Sequence, residues 1–116
     1  MAVDLRPGLA LRLWQQVNLD LVLEGDMDLS YRQISILLTI YLEPPPHTVR
    51  GLARRLGVTK PVITRALDTM GKQGLVTRER DEKDRRNVVI QRTVEGALYV
   101  EKLGDVIREK GRLLPF

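Results

Sequence analysis

The sequence contains no cysteine. That absence removes disulfides, thiolate metal sites and thiol redox sensing together. It contains one histidine, His47. A zinc site needs about four His, Cys or carboxylate ligands, and here the first two types are almost missing. No apolar run approaches the ~20 residues a membrane span needs, so no membrane partner is expected. Asp4 and Arg6 near the N-terminus, and Arg12 interrupting the next apolar run, do not fit a secretory leader. A cytoplasmic protein is the expectation. There is no Walker-type loop and no GxGxxG pattern. The densest carboxylate run, Asp81-Glu82-Lys83-Asp84, sits in a charged, exposed setting, the wrong one for a raised-pKa acid. His47, between three prolines and a helix cap, reads as a turn or strand residue with no special role. Catalysis, metal and cofactor are therefore all expected to be absent.

What is present is charge, unevenly placed. The 116 residues carry a net charge of +4. Residues 47–92 hold twelve Lys/Arg against five acids, a net of +7, whereas residues 1–46 net −3 and residues 93–116 net zero. A basic middle on a neutral-to-acidic support is the pattern of a polyanion-binding module. A solvated basic face is the plainer alternative.

The length fits one domain, long enough to bury a small core. Pro7 suits the first turn of a helix over residues 8–24, with Leu9, Leu13, Val17 and Leu21 at i, i+4 spacing. Leu11, Trp14, Val22 and Leu23 widen that stripe beyond one side, so it could meet its own domain and a partner at once. Ser30, with Gln33 three residues on, reads as a capping box opening a second helix. That helix carries Ile34, Leu37, Leu38 and Tyr41 on one face with Ile36 and Ile40 beside it, and is expected to be the central core helix. Pro44-Pro45-Pro46 ends it.

Thr48 is the next N-cap candidate, for a short helix over Val49 to Leu56 with Val49, Leu52, Ala53 and Leu56 inward. Gly51 weakens that helix by up to ~1 kcal/mol relative to Ala. Gly57 fits a left-handed closing position. Thr59 then caps a helix that places Ile63, Ala66, Leu67 and Met70 on one side. Its opposite side shows Pro61, Arg65, Asp68 and Lys72, flanked by Thr64 and Thr69, and Gly74 ends it. Leu75 to Arg80 and Asn87 to Arg92 read as strands of a hairpin with a charged tip. A last helix follows over residues 94–112, and Leu113-Leu114-Pro115-Phe116 is an apolar end.

The order helix, tight turn, helix, hairpin has a mechanical meaning. A helix-turn-helix sets its second helix in the major groove of double-stranded DNA. Thr64 and Arg65 suit base edges, with Pro61 and Val62 near a thymine methyl. Thr59, Lys60 and the helix N-terminus suit phosphates. Arg85 and Arg86 at the hairpin tip can reach an adjacent minor groove. The fold expected is mainly α with a small β-hairpin wing, a winged helix-turn-helix. The core would span residues 30–93, within one domain of residues 1–116. The same fold could instead be a protein–protein interaction module without DNA binding.

The stretch from Leu29 to Leu103 resembles the MarR family of winged-helix transcription regulators. The likeness lies in LSYRQISILLTI, in TVRGLARRLGVTKPVITRALDTMGKQGLVTRE, in the wing Asp84-Arg85-Arg86, and in Thr93 and Gly96 opening the last helix. The D-x-R wing followed by T-x-x-G is the more specific part. The resemblance implies a homodimer on a pseudo-palindromic operator, usually a repressor, often released by a small anionic or phenolic effector. By motif position Arg86 is the wing arginine and Asp84 its brace, and Thr59, Lys60, Pro61, Thr64 and Arg65 fall on the recognition helix. Three features depart from the family. Arg92 stands where Leu is usual before Thr93. Gly51 replaces a helix former. The chain also ends about one helix short, so dimerisation is expected to take a different form. Leu11, Trp14, Val100, Leu113, Leu114 and Phe116 are the apolar residues expected to meet a partner.

Overall fold

The computed structural model describes residues 5–114. Asp4, Pro115 and Phe116 lie outside the described residues. The elements are α1 (Pro7–Glu24), α2 (Tyr31–Leu42), β1 (His47–Thr48), α3 (Val49–Leu56), α4 (Lys60–Lys72), β2 (Val76–Arg80), β3 (Val88–Arg92) and α5 (Val94–Gly111). They divide into two compact units, one running from Leu29 to Val100 and the other made of the segments on either side of it.

In the Leu29–Val100 unit each helix starts and stops for a local reason. The Ser30 hydroxyl accepts from the Gln33 amide at 3.1 Å, and the Gln33 side chain accepts from the Ser30 amide at 2.8 Å, so the capping box is complete. α2 stops at Leu42 because Glu43, which precedes Pro44, is extended. The Thr48 hydroxyl caps α3 through the Gly51 amide at 2.9 Å. A Cβ on Gly51 would lie 3.0 Å from that same hydroxyl, a tight approach that the cap would have to yield to by a few tenths of an ångström. Gly57, at φ +67°, closes α3 in the left-handed region that a side chain disfavours.

The hairpin β2–β3 gains a third strand. β1 pairs antiparallel with β3, His47 opposite Ile90 and Thr48 opposite Val89, giving the order β1-β3-β2. A strand of two residues has no periodicity to read, so only the hairpin was expected. His47 is consequently buried, with Nε2 3.1 Å from the Glu43 carbonyl oxygen.

α2 is the central helix. Ile36, Leu37 and Ile40 are fully buried, as are Ile63, Leu67 and Met70 of α4, which α2 packs against, and Leu75 and Val76 at the root of the wing. Side chains of this size contribute ~1.5–3 kcal/mol each on burial. The deepest face is 36-37-40, not the expected 34-37-38-41. α2 packs against both α4 and β3, which turns Ile34, Leu38 and Tyr41 to half-buried positions.

The start of α5 is tied to this core by a polar knot. The Tyr41 hydroxyl donates to the Leu75 carbonyl at 2.7 Å and accepts from the Thr93 amide at 2.9 Å. The Thr93 hydroxyl donates to the Gly74 carbonyl at 2.6 Å and accepts from the Gly96 amide at 2.9 Å. A Cβ on Gly96 would collide with the Tyr41 hydroxyl and the Leu75 carbonyl. The T-x-x-G pattern is thus a cap plus a close approach. Beside it, Arg92 donates through Nε to the Ile40 carbonyl at 2.8 Å and through Nη2 to the Glu43 carbonyl at 2.9 Å. The residue that departs from the family pattern therefore serves the C-terminal carbonyls of α2, a helix with no basic residue of its own in its last turn.

In the second unit, Val17 of α1 and Leu103 of α5 are buried, and Lys110 lies 3.7 Å from Asp20. Leu9, Leu13 and Leu21 are half-buried. Leu11, Trp14, Val22, Leu23, Ile107 and Leu113 stand exposed. Among the described residues no helix is long and apolar enough to cross a membrane.

Candidate nucleic-acid interface

α4 has one dry side and one wet side. Ile63, Ala66, Leu67 and Met70 are buried, whereas Pro61, Thr64, Arg65, Asp68, Thr69 and Lys72 are exposed. The wet side is polar, with two bases, Arg65 and Lys72, against one acid. Its acid, Asp68, is engaged by Arg78 of β2 at 2.6 Å, so it does not stand as an uncompensated negative charge. That pair, half-exposed on the Asp side, contributes at most ~1 kcal/mol, and its main effect is to hold the wing beside α4. The Arg65 guanidinium makes no hydrogen bond or ion pair among the described residues, and neither does the Lys60 ammonium.

Thr59 is the N-cap residue by its extended backbone, yet its hydroxyl makes no capping bond, which corrects the capping role read from the sequence. The reason is local. Pro61 has no N–H to give, and the Val62 amide bonds the Thr59 carbonyl at 3.1 Å. The hydroxyl of Thr59 and the positive end of α4 are left to the solvent side.

The wing tip is ordered by its own carboxylates. Asp81 accepts from the Lys83 amide at 2.9 Å, and Asp84 from the Arg86 amide at 3.1 Å. Asp84 also takes the Arg86 Nε at 3.2 Å, leaving that arginine side chain 88% exposed. Arg80 holds the Arg85 carbonyl at 2.7 Å, which fixes the tip while the Arg85 side chain stays exposed. The structure therefore gathers Thr59, Lys60, Pro61, Thr64 and Arg65 on α4, and Arg85, Arg86 and Asp84 on the wing, within one unit. Arg32 escaped sequence reasoning: a lone arginine in the first turn of α2 carries no pattern, and only the packing of α2 beside α4 brings it to the same cleft as Arg65.

The model of the MarR family matches residues 27–87, more than half of the chain. The chain belongs to the MarR family. A MarR-type chain similar to it is the organic hydroperoxide resistance transcriptional regulator of Bacillus subtilis, 36% identical over 80 residues, which are 69% of this chain and 54% of that protein. The chain thus spans about half the length of that regulator. The crystal structure of the transcriptional regulator BldR from Sulfolobus solfataricus is similar at 35% identity and TM-score 0.64, over 86% of this chain and 68% of that one. The PcaV transcriptional regulator from Streptomyces coelicolor, solved with its natural ligand, is similar at 27% identity and TM-score 0.65, over 97% and 82% of the two chains. The relatives of this MarR-family chain that carry functional names are transcription regulators, and its mainly helical fold with a small antiparallel sheet is theirs.

Proposed function

We propose that the chain is a sequence-specific DNA-binding transcription regulator that acts as a dimeric repressor. The observation that carries this reading is α4: an exposed polar edge with an unpaired Arg65, its acid already engaged by the wing, beside a second basic element at the wing tip. A helix of ~10–12 Å diameter fits a major groove ~12 Å wide. Arg65 then pairs with guanine O6 and N7, Thr64 with a neighbouring base edge, and Pro61 with a thymine methyl. Thr59 and Lys60 take phosphates at the helix entry. The wing lays Arg86 in the minor groove, with Asp84 holding Nε so that the two Nη groups point outward, and Arg85 takes the backbone.

In this reading residues 30–93 form the reader, and the flanking helices over 8–24 and 94–112 hold two copies together. The exposed apolar residues Leu11, Trp14, Val22 and Leu113 support that role. Occupying an operator blocks transcription, and a small-molecule effector releases it. The setting is the cytoplasm, where the DNA is.

The test is fluorescence anisotropy on an operator duplex selected from a random pool, titrated with salt. Binding falls with a log–log slope of about −0.9 per phosphate contacted. Arg65→Ala weakens binding by ~1–3 kcal/mol and relaxes preference at one base position. Arg86→Ala weakens it chiefly where the flank is A·T-rich. Wild-type protein with no salt-sensitive affinity for duplex would mean a protein-binding module instead.

A further inference from the structure

α4 has two polar edges. One, with Asp68 and Lys72, faces the wing, where Arg78 of β2 meets Asp68. The other faces the first turn of α2. There Val62, Arg65, Ala66 and Thr69 lie across a cleft of about 250 Å³ from Ser30, Arg32 and Gln33. At ~100° per residue, positions 62, 66 and 69 fall on the flank opposite the wing, and position 65 lies between that flank and the outermost line of the helix.

The lining of this cleft is electrostatically one-sided. It has two guanidiniums and no carboxylate. Two of its polar contacts are already committed: Ser30 and Gln33 close the capping box, and the Thr69 hydroxyl donates to the Arg65 carbonyl at 3.3 Å. Arg32 and Arg65 are both exposed and make no hydrogen bond or ion pair among the described residues. An unpaired guanidinium in a cleft with no carboxylate suits an oxyanion.

A helix seated in a major groove has a phosphate ribbon on each side, because the groove is scarcely wider than the helix. The wing edge of α4 covers one ribbon. The α2 edge must meet the other. We propose that this cleft clasps a backbone phosphate on the rim opposite the wing, with Arg32 as the anchor that sets how deeply Arg65 reaches the bases. The inference rests on the DNA-binding reading above. Arg32 is a positioning residue in it: it touches phosphate and reads no base.

The test compares wild type, R32A, R32K and R65A on the selected operator and on point-substituted operators. R32A weakens every duplex by a similar factor, roughly tenfold at low salt for one charge-assisted bond. It also makes the salt slope shallower by ~0.9. R32K keeps the slope. R65A instead changes the ranking of operators. Replacing single phosphates with neutral methylphosphonate finds one position where wild type weakens and R32A does not. R32A melting with wild type shows that the loss is not one of folding, as the exposed, unbonded side chain implies.

Unchanged affinity and slope in R32A, while R65A weakens, overturns the clasp and leaves the DNA reading standing. A changed base ranking in R32A also overturns it, making Arg32 a reader. Inorganic phosphate that binds through Arg32 with no effect of R32A on duplex binding would make the cleft a free-anion site and overturn the proposal too. Absence of salt-sensitive duplex binding by wild type removes both readings at once.

Discussion

Tyr41→Phe removes one oxygen atom and leaves the ring in place, so it isolates the polar knot that joins α2, the root of the wing and α5. In the wild type that oxygen donates to the Leu75 carbonyl at 2.7 Å and accepts from the Thr93 amide at 2.9 Å, both in part-buried surroundings. The substitution leaves a carbonyl and an amide without their partner. Each unsatisfied buried group costs ~1–3 kcal/mol, and partial burial places these near the lower end, so the loss is ~2–3 kcal/mol in all. For a chain of this length 1 kcal/mol moves Tm by roughly 4 °C, giving a fall of about 8–12 °C. Urea unfolding should show a lower midpoint with an unchanged m-value, since the surface exposed on unfolding is the same. Gly96→Ala attacks the knot from the other side by driving a methyl into the same hydroxyl and the Leu75 carbonyl. Overpacking of that kind costs ~1–3 kcal/mol. Because both changes act on one contact, the double variant should lose less than the sum of the singles. A Tm for Tyr41→Phe within about 2 °C of wild type would show that water replaces the hydroxyl without loss, and the knot would then be no more than a geometric coincidence.

Arg92→Leu restores the residue usual in the family but takes away the donor of the Ile40 carbonyl and one of the two groups on the Glu43 carbonyl, which keeps His47. Because Arg92 is exposed, the cost is near 1 kcal/mol, read as a lower urea midpoint. Leu11→Glu with Trp14→Glu places charge on residues that are 69% and 46% exposed. If they form the dimer face, sedimentation shows a monomer and operator binding weakens, while the monomer's fold by circular dichroism is kept. An unchanged dimer would move the interface elsewhere.

The sequence made the helices legible because each is bounded by chemistry that acts locally. Ser30 and Gln33 form the box that their spacing implies, and Gly57 takes the left-handed turn. The buried side of α4 was equally open to reading, since four apolar residues at helical spacing have one side to go to. What could not be read depends on elements meeting from far apart in the chain. His47 and Thr48 become a strand only because β3 passes beside them. Arg92 looks like a flaw in a core position until the Ile40 and Glu43 carbonyls at the end of α2 arrive beside it. Thr59 looked like a cap because its residue type is right. The proline two positions on removes one of the amides a cap would serve, and that conflict is visible in the sequence once Pro61 is weighed against it. Arg32 carried no pattern at all.

The charges of this chain make more sense as a division of labour than as a stabilising network. Glu43, Asp68 and Asp84 hold Arg55, Arg78 and Arg86 at 2.8, 2.6 and 3.2 Å, on α3 and the wing. Those pairs are exposed, and pairs of that kind contribute ~0–1 kcal/mol each, so their value lies in fixing the direction of a side chain or the edge of the wing. Lys60, Arg65 and Arg32 are left without partners on and beside α4. The fold does not need them paired, since exposed like charges cost little in water at ordinary salt. In the proposed complex a duplex, with one negative charge per ~1.7 Å of axis, is what uses them, because each phosphate neutralised releases condensed counterions. On the proposed reading Asp68 and Asp84 orient the wing, and Lys60, Arg65 and Arg32 remain for phosphates and bases, so the bases set against DNA are those the fold leaves unpaired.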